Sequence, residues 1–235
     1  MDVCVFRSRD GKVETQLCRV ENFCRGLGQW DALSSGVCKD LAGQAFRQSA
    51  VLFKDKISFK GPGGGGNRAH QDATAYAPEK LARRHMTLVL AIDATLPETG
   101  PMQFARGWHT KGVLPNKGGV IGEGSIEQGD FESVHLQRGD MVLFDSHTPS
   151  RSEKNASTTL SQRLAFLTYN AASEGYLHEA YYEEKARVMR EKQHSGSGLA
   201  PSSSSCVLRR VTCCIALRGD DAFAKDASSS RSRHI

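Results

Sequence analysis

The feature that most constrains this fold is a series of short apolar runs cut by turn residues. Residues 86–92, Met-Thr-Leu-Val-Leu-Ala-Ile, are almost continuously apolar and short, which predicts a strand covered on both faces. Met102-Gln103-Phe104-Ala105, Val134-His135-Leu136, Met141-Val142-Leu143-Phe144-Asp145 and residues 163–169 repeat the pattern, with Pro97, Gly100 and Gly139 between them. Strands that follow one another through turns, without intervening helices, predict an antiparallel sandwich or jelly roll. An earlier strand, residues 51–60, puts Phe53, Ile57 and Phe59 on one face and Lys54, Lys56 and Lys60 on the other. That lysine row is either a solvated edge or, if it lines a barrel mouth, a surface for an anionic substrate or co-substrate.

Outside this series the chain reads as flanks. Trp30, Leu33, Val37, Leu41 and Phe46 recur at helical spacing, interrupted at Ser34-Ser35-Gly36, so residues 1–50 are expected to be a helical flank. The core with its charged terminal helix, rich in Glu, Lys, Arg and Tyr over 179–192, is expected to span 51–194. Residues 195–235 carry the serine runs 202–205 and 228–230 and are expected to form a disordered tail. The apolar fraction of 39% and charged fraction of 24% are those of a soluble globular protein. The net charge of +5 gathers in the tail, at Arg209, Arg210, Arg218, Arg231 and Arg233, so nucleic-acid binding is not expected. No apolar run is long enough for a membrane span, and the first residues show no secretory pattern, which points to a cytoplasmic protein. The seven cysteines lack zinc-site spacing and are expected to be reduced thiols.

One stretch carries chemistry. After the glycine run 63–66 comes Asn67-Arg68-Ala69-His70-Gln71-Asp72. In an extended strand, His70 and Asp72 project to the same face, an imidazole nitrogen beside a carboxylate oxygen. Such a pair is two-thirds of the two-histidine, one-carboxylate set that binds non-heme Fe(II), and it is also what a solvated polar turn can contain. The glycine run lacks the Gly-Lys-Ser/Thr ending of a phosphate loop, which argues against nucleotide binding there.

From about residue 51 to 185 the chain resembles the phytanoyl-CoA dioxygenase family of Fe(II)- and 2-oxoglutarate-dependent oxygenases. The resemblance rests on Lys54-Asp55-Lys56, His70-Gln71-Asp72, Gly107-Trp108-His109 and Gly139-Asp140-Met141-Val142-Leu143-Phe144. Arg151-Ser152-Glu153-Lys154-Asn155, Arg163 and Tyr169-Asn170 extend it. It implies a double-stranded β-helix, mainly β with flanking helices. It implies Fe(II) and 2-oxoglutarate as cofactors, and hydroxylation of a small-molecule substrate; related halogenases replace the carboxylate that Asp72 retains. His70 and Asp72 would be iron ligands. Arg163 would hold the distal carboxylate of 2-oxoglutarate, its planar fork matching both oxygens, with Lys54, Lys56 and Gln71 as further co-substrate contacts. The third ligand of the family is a histidine five residues before the asparagine, and here that position is Ser150. A serine hydroxyl is a poor Fe(II) ligand beside imidazole. His147 is the nearby substitute, across Pro149 and at an odd strand offset that turns it from the metal. The segment from Asn155 to Arg163 is also longer than the family spacing. The alternative to an oxygenase is an inactive relative that binds a ligand or a protein.

Overall fold

The computed structural model describes residues 2–7, 15–76, 82–194, 207–210 and 232–234. The tail expected over 195–235 lies outside the described residues apart from the last two segments. In chain order the strands are β1 (Asp2–Arg7), β2 (Thr15–Glu21), β3 (Ala50–Lys60), β4 (Asn67–His70), β5 (His85–Ala91), β6 (Met102–Ala105) and β7 (Asn116–Lys117). They continue as β8 (Val120–Ile121), β9 (Phe131–Ser133), β10 (Met141–Asp145), β11 (Ser150–Ser152), β12 (Gln162–Ala171), β13 (Val207–Arg210) and β14 (Ser232–His234). Three helices flank them: α1 (Gly28–Ser35), α2 (Val37–Phe46) and α3 (His178–His194). One sheet runs β13-β1-β2-β3-β12-β5-β10-β14 and the other β7-β8-β4-β11-β6-β9. All pairings are antiparallel except that of β10 with β14. This is the expected mainly-β, two-sheet architecture of a jelly roll.

The apolar runs become central strands because each has two faces to cover. Leu88, Leu167 and Tyr169 face outward and pack with Val20, Cys38 and Ala42 under α1 and α2. Val89, Ala91, Val142, Phe144 and Leu164 face inward and meet Phe104 of β6, whose ring lies 4.8 Å from that of Phe144. Each fully buried Leu or Phe contributes about 1.5–3 kcal/mol, so the two clusters hold helices to sheet and sheet to sheet. The α1–α2 pair breaks at Gly36, as the interruption at Ser34-Ser35-Gly36 predicts, and Tyr169 donates its hydroxyl to the Ser34 carbonyl at 2.8 Å. Helix α3 is fixed at its start, where His178 Nε2 lies 2.9 Å from the buried Asp55 Oδ1.

Two expectations need correction. Residues 1–50 are not only helical: β1 and β2 precede α1, and β2 extends the sheet through Val20↔Ile57 and Glu21↔Lys56. The edge of β3 would otherwise present unpaired backbone groups, and that non-local requirement leaves little local pattern. The strand expected at 134–136 lies earlier, at β9, where Gln103↔Ser133 and Ala105↔Phe131 pair it to β6.

The glycine run does more than loosen the chain. A Cβ on Gly66 would sit 2.2 Å from the Ser152 carbonyl oxygen, and one on Gly100, at φ +68°, 2.3 Å from that of Glu153. These two glycines let β4 and the turn before β6 close on the end of β11.

Candidate functional site

The cleft between the sheets has a floor of cross-strand pairs. On β3 and β12, Lys60 faces Gln162, Ser58 faces Leu164 and Lys56 faces Phe166. All six side chains line the cleft, with Met102 of β6 and Asn67, His70, Asp72, Ser150, Arg151 and Ser152 from the facing sheet and its margin. The space they enclose is about 50 Å³, a narrow cleft.

His70 ends β4, and Asp72 begins a 3-10 turn at residues 72–75, so strand alternation does not bring them together; the corner between the two elements does. His70 Nε2 lies 3.4 Å from Asp72 Oδ1. His70 Nδ1 lies 2.8 Å from the Arg68 carbonyl oxygen. A carbonyl only accepts, so Nδ1 carries a hydrogen; a protonated Nε2 donates to Asp72, and a deprotonated Nε2 turns its lone pair to the side where the carboxylate stands, as a metal ligand would. Burial alone would push the Asp72 carboxyl up. The hydrogen bond and charge of His70, with the ammonium groups of Lys56 and Lys54, outweigh that and hold it well below the usual carboxylate range.

Ser150, which is buried, is the residue directly opposite His70 in the β4–β11 ladder and lines the cleft. Among the described residues no group of three or more His, Cys, Asp or Glu side chains comes together. The cleft wall thus offers one imidazole and one carboxylate side by side, with the hydroxyl of Ser150 across the ladder from the imidazole.

The structure separates the remaining candidates. Arg163 points away from the cleft, where Nε and Nη2 each donate to the Asp93 carboxylate at 2.7 Å. Its neighbour Gln162 takes the inward position and donates to Thr99 Oγ1 at 2.9 Å. Arg163 as a co-substrate clamp is thus corrected: β12 alternates, and position 163 belongs to its outer face. His147 is corrected likewise. It lies outside the cleft lining, 3.1 Å through Nδ1 from Asp145 Oδ1, in the turn that precedes β11. Gln71 does not line the cleft either. Its buried amide donates to the carbonyls of Gly112 and His147 and accepts from the Leu114 N–H, so it secures the 107–117 loop. Lys54 lies over the rings of Tyr76 and Tyr181, at 5.1 and 5.6 Å, outside the lining. Lys56 alone of the co-substrate candidates faces the cleft. Burial, reinforced by Lys54, brings its ammonium down to about 8. Sequence reasoning missed Ser58 and Gln162. Alternation from Lys56 along β3 was the available signal for the first.

The phytanoyl-CoA dioxygenase (PhyH) family model matches residues 6–164. Over 165 residues the chain is 40% identical to the methylphosphonate hydroxylase of Gimesia maris, covering 70% of this chain and 62% of that protein. Over 185 residues it is 33% identical to a 2-aminoethylphosphonate dioxygenase from an uncultured bacterium, covering 77% and 69%. The chain thus spans about two-thirds or less of the first of these relatives. Among solved structures, that of EctD from S. alaskensis with bound Fe superposes with a TM-score of 0.60 at 17% identity, over 72% of this chain and 61% of that one. That likeness shows the fold.

Proposed function

The chain belongs to the phytanoyl-CoA dioxygenase family, and from that premise we propose that it is an Fe(II)- and 2-oxoglutarate-dependent oxygenase that hydroxylates a small organophosphonate. The observation that carries this reading is the His70–Asp72 pair, 3.4 Å apart on the wall of the cleft. The substrate class follows the two phosphonate-acting relatives.

In this reading His70 Nε2 and the Asp72 carboxylate hold the metal. Bound there, iron with oxygen and 2-oxoglutarate would supply the oxidising power for C–H hydroxylation. The Arg68 carbonyl keeps the imidazole in the ligating tautomer, and Lys56 and Lys54 keep Asp72 ionised. Leu164, Phe166 and Met102 provide the apolar side of the cleft, which excludes water from the reacting carbon.

The test is succinate formation from 2-oxoglutarate with added Fe(II), in the presence of methylphosphonate or 2-aminoethylphosphonate. Turnover that falls about 100-fold or more in Asp72→Ala supports the reading, since a ligand contributes more than an outer-shell partner. No turnover with either phosphonate, under Fe(II) saturation, removes it. A second reading, a binding pocket without oxygen chemistry, is favoured by Ser150 at the third ligand position and by Arg163 lying outside the cleft.

A further inference from the structure

Behind the cleft floor, the inner face of the larger sheet ends in a row of polar side chains. Along β12 and β5 the inward pairs run Phe166↔Val89, Thr168↔Thr87 and Asn170↔His85. Phe166 lines the cleft, and the two threonine hydroxyls lie 3.0 Å apart. Past the Asp145↔Met86 rung, Ser146 continues the ladder and donates its N–H to the His85 carbonyl at 2.9 Å. Register therefore sets Asn170, His85 and Ser146 side by side on one face, across three neighbouring segments. Thr148 follows two residues later, in the turn before β11.

None of these four residues is more than 2% exposed. Each carries a polar atom with no partner among the described residues: Asn170 Oδ1, His85 Nε2, Ser146 Oγ and Thr148 Oγ1. They are four of the six such side-chain atoms, so the deficit is gathered in one place rather than scattered. Bare polar groups in an interior are costly, and native proteins satisfy them. The Asn170 amide is not reversed, because its nitrogen donates to the carbonyls of Ala171 and Gly175 at 2.9 and 3.0 Å. Its oxygen thus only accepts, the hydroxyls give or take, and a neutral imidazole nitrogen does one or the other. All four groups are uncharged at neutral pH, since burial brings the His85 imidazole down to about 4. The ligand they suit is small, neutral and both donor and acceptor. The rings of Phe53 and Tyr76 pack on that of His85 at 4.3 and 4.7 Å and screen it from bulk solvent.

We propose that His85, Asn170, Ser146 and Thr148 form a hydration site that holds ordered water inside the jelly roll, and that this water positions the Asp72 corner. The second half follows from what the 145–148 turn grips. Gln71 and Ala73 flank Asp72 and donate to two successive carbonyls of that turn. Gln71 Nε2 reaches His147 at 2.6 Å, and the Ala73 N–H reaches Ser146 at 3.0 Å. Water lodged between β5, β12 and the hydroxyls of Ser146 and Thr148 fixes the turn, and the turn fixes both neighbours of Asp72. A buried water makes about three hydrogen bonds to groups otherwise unpaired, which this row supplies. The four residues lie outside the cleft lining, and the site needs neither metal nor co-substrate.

Two measurements on the full-length protein test this. In a high-resolution crystal structure of wild type, water density is expected within about 2.7–3.2 Å of His85 Nε2 and of at least one other member of the row. Thr148→Val keeps the side-chain volume without the hydroxyl, and His85→Phe removes the nitrogen. In both variants the Ala73 amide should exchange with deuterium at least about tenfold faster than in wild type, while amides of β12 keep their protection. The second condition separates a loosened corner from general destabilisation. Should His85→Phe fail to fold, Thr148→Val carries the test alone. The proposal is overturned if no water density stands at His85 Nε2, or if that nitrogen bonds a protein side chain directly. It is equally overturned if Ala73 exchanges at the wild-type rate in Thr148→Val, or if the β12 amides accelerate to the same degree. Neither measurement uses turnover, so a result against the oxygenase reading leaves this one standing.

Discussion

An imidazole at position 150 would stand across the β4–β11 ladder from His70, beside Asp72 on the same cleft wall. Ser150→His is expected to tighten Fe(II) binding by about 10- to 100-fold or more, measured by metal titration of EDTA-stripped protein; His147→Ala should leave the affinity unchanged. An unaltered affinity in Ser150→His would show that position 150 does not reach a metal held by His70 and Asp72. The departure at Ser150 was legible from its spacing to Asn155. The inward place of Gln162 was not: Leu164 and Phe166 on one face of β12, and Ala165 and Leu167 on the other, are all apolar. A strand covered on both faces does not reveal its parity. His85 supplies a second test. Burial, with the charge of His147 adding to it, brings the imidazole down to about 4, and its Nε2 has no partner. Between the ordinary value near 6.5 and about 4 the unfolded chain binds the extra proton and the folded chain does not. Stability should therefore fall as pH drops through that window, by up to about 3 kcal/mol. His85→Gln should flatten that limb in thermal melts taken across the same pH range.

Elements are held to the site by single side chains. Gln71, between the two cleft-facing residues, makes three hydrogen bonds that reach Gly112, Leu114 and His147. Gln71→Ala leaves those part-buried groups without their partner and should cost about 1–3 kcal/mol. Its signature is local: the Leu114 amide should exchange with deuterium at least about tenfold faster, while amides of β5 and β12 keep their protection. If Leu114 exchanges at the wild-type rate, the 107–117 loop is held by something other than Gln71. At this scale the sequence was readable where an element carries its own period. The helical pair broken at Gly36 and the apolar strands β5, β10 and β12 fall where expected. β1, β2 and β9 did not announce themselves, because they exist to satisfy edges of other strands.

Across the whole molecule, Asp55 joins three parts of the chain. Its fully buried carboxylate accepts from the N–H groups of Phe23 and Cys24 at 2.6 and 2.9 Å, and His178 Nε2 lies 2.9 Å from its other oxygen. The loop after β2, strand β3 and the start of α3 thus meet on one residue. Asp55→Asn turns a pure acceptor into a partial donor facing two N–H groups, and should destabilise by about 3 kcal/mol or more in denaturant unfolding. Exchange protection over 178–185 should fall with it; unchanged protection there would mean that α3 is docked without Asp55, by its tyrosines and by the Lys185–Glu21 and Arg25–Glu179 pairs. Asp55, Ile57 and Phe59 project from one side of β3, and Lys56, Ser58 and Lys60 from the other. Core and cleft lining are thereby interleaved on a single ribbon, one residue apart, with the backbone between them. A change of side chain on the cleft side of β3, at Ser58 for one, meets none of the side chains that Asp55, Ile57 and Phe59 pack against. A lineage built on such a ribbon can exchange its ligand by small steps, with every intermediate along the way still folded.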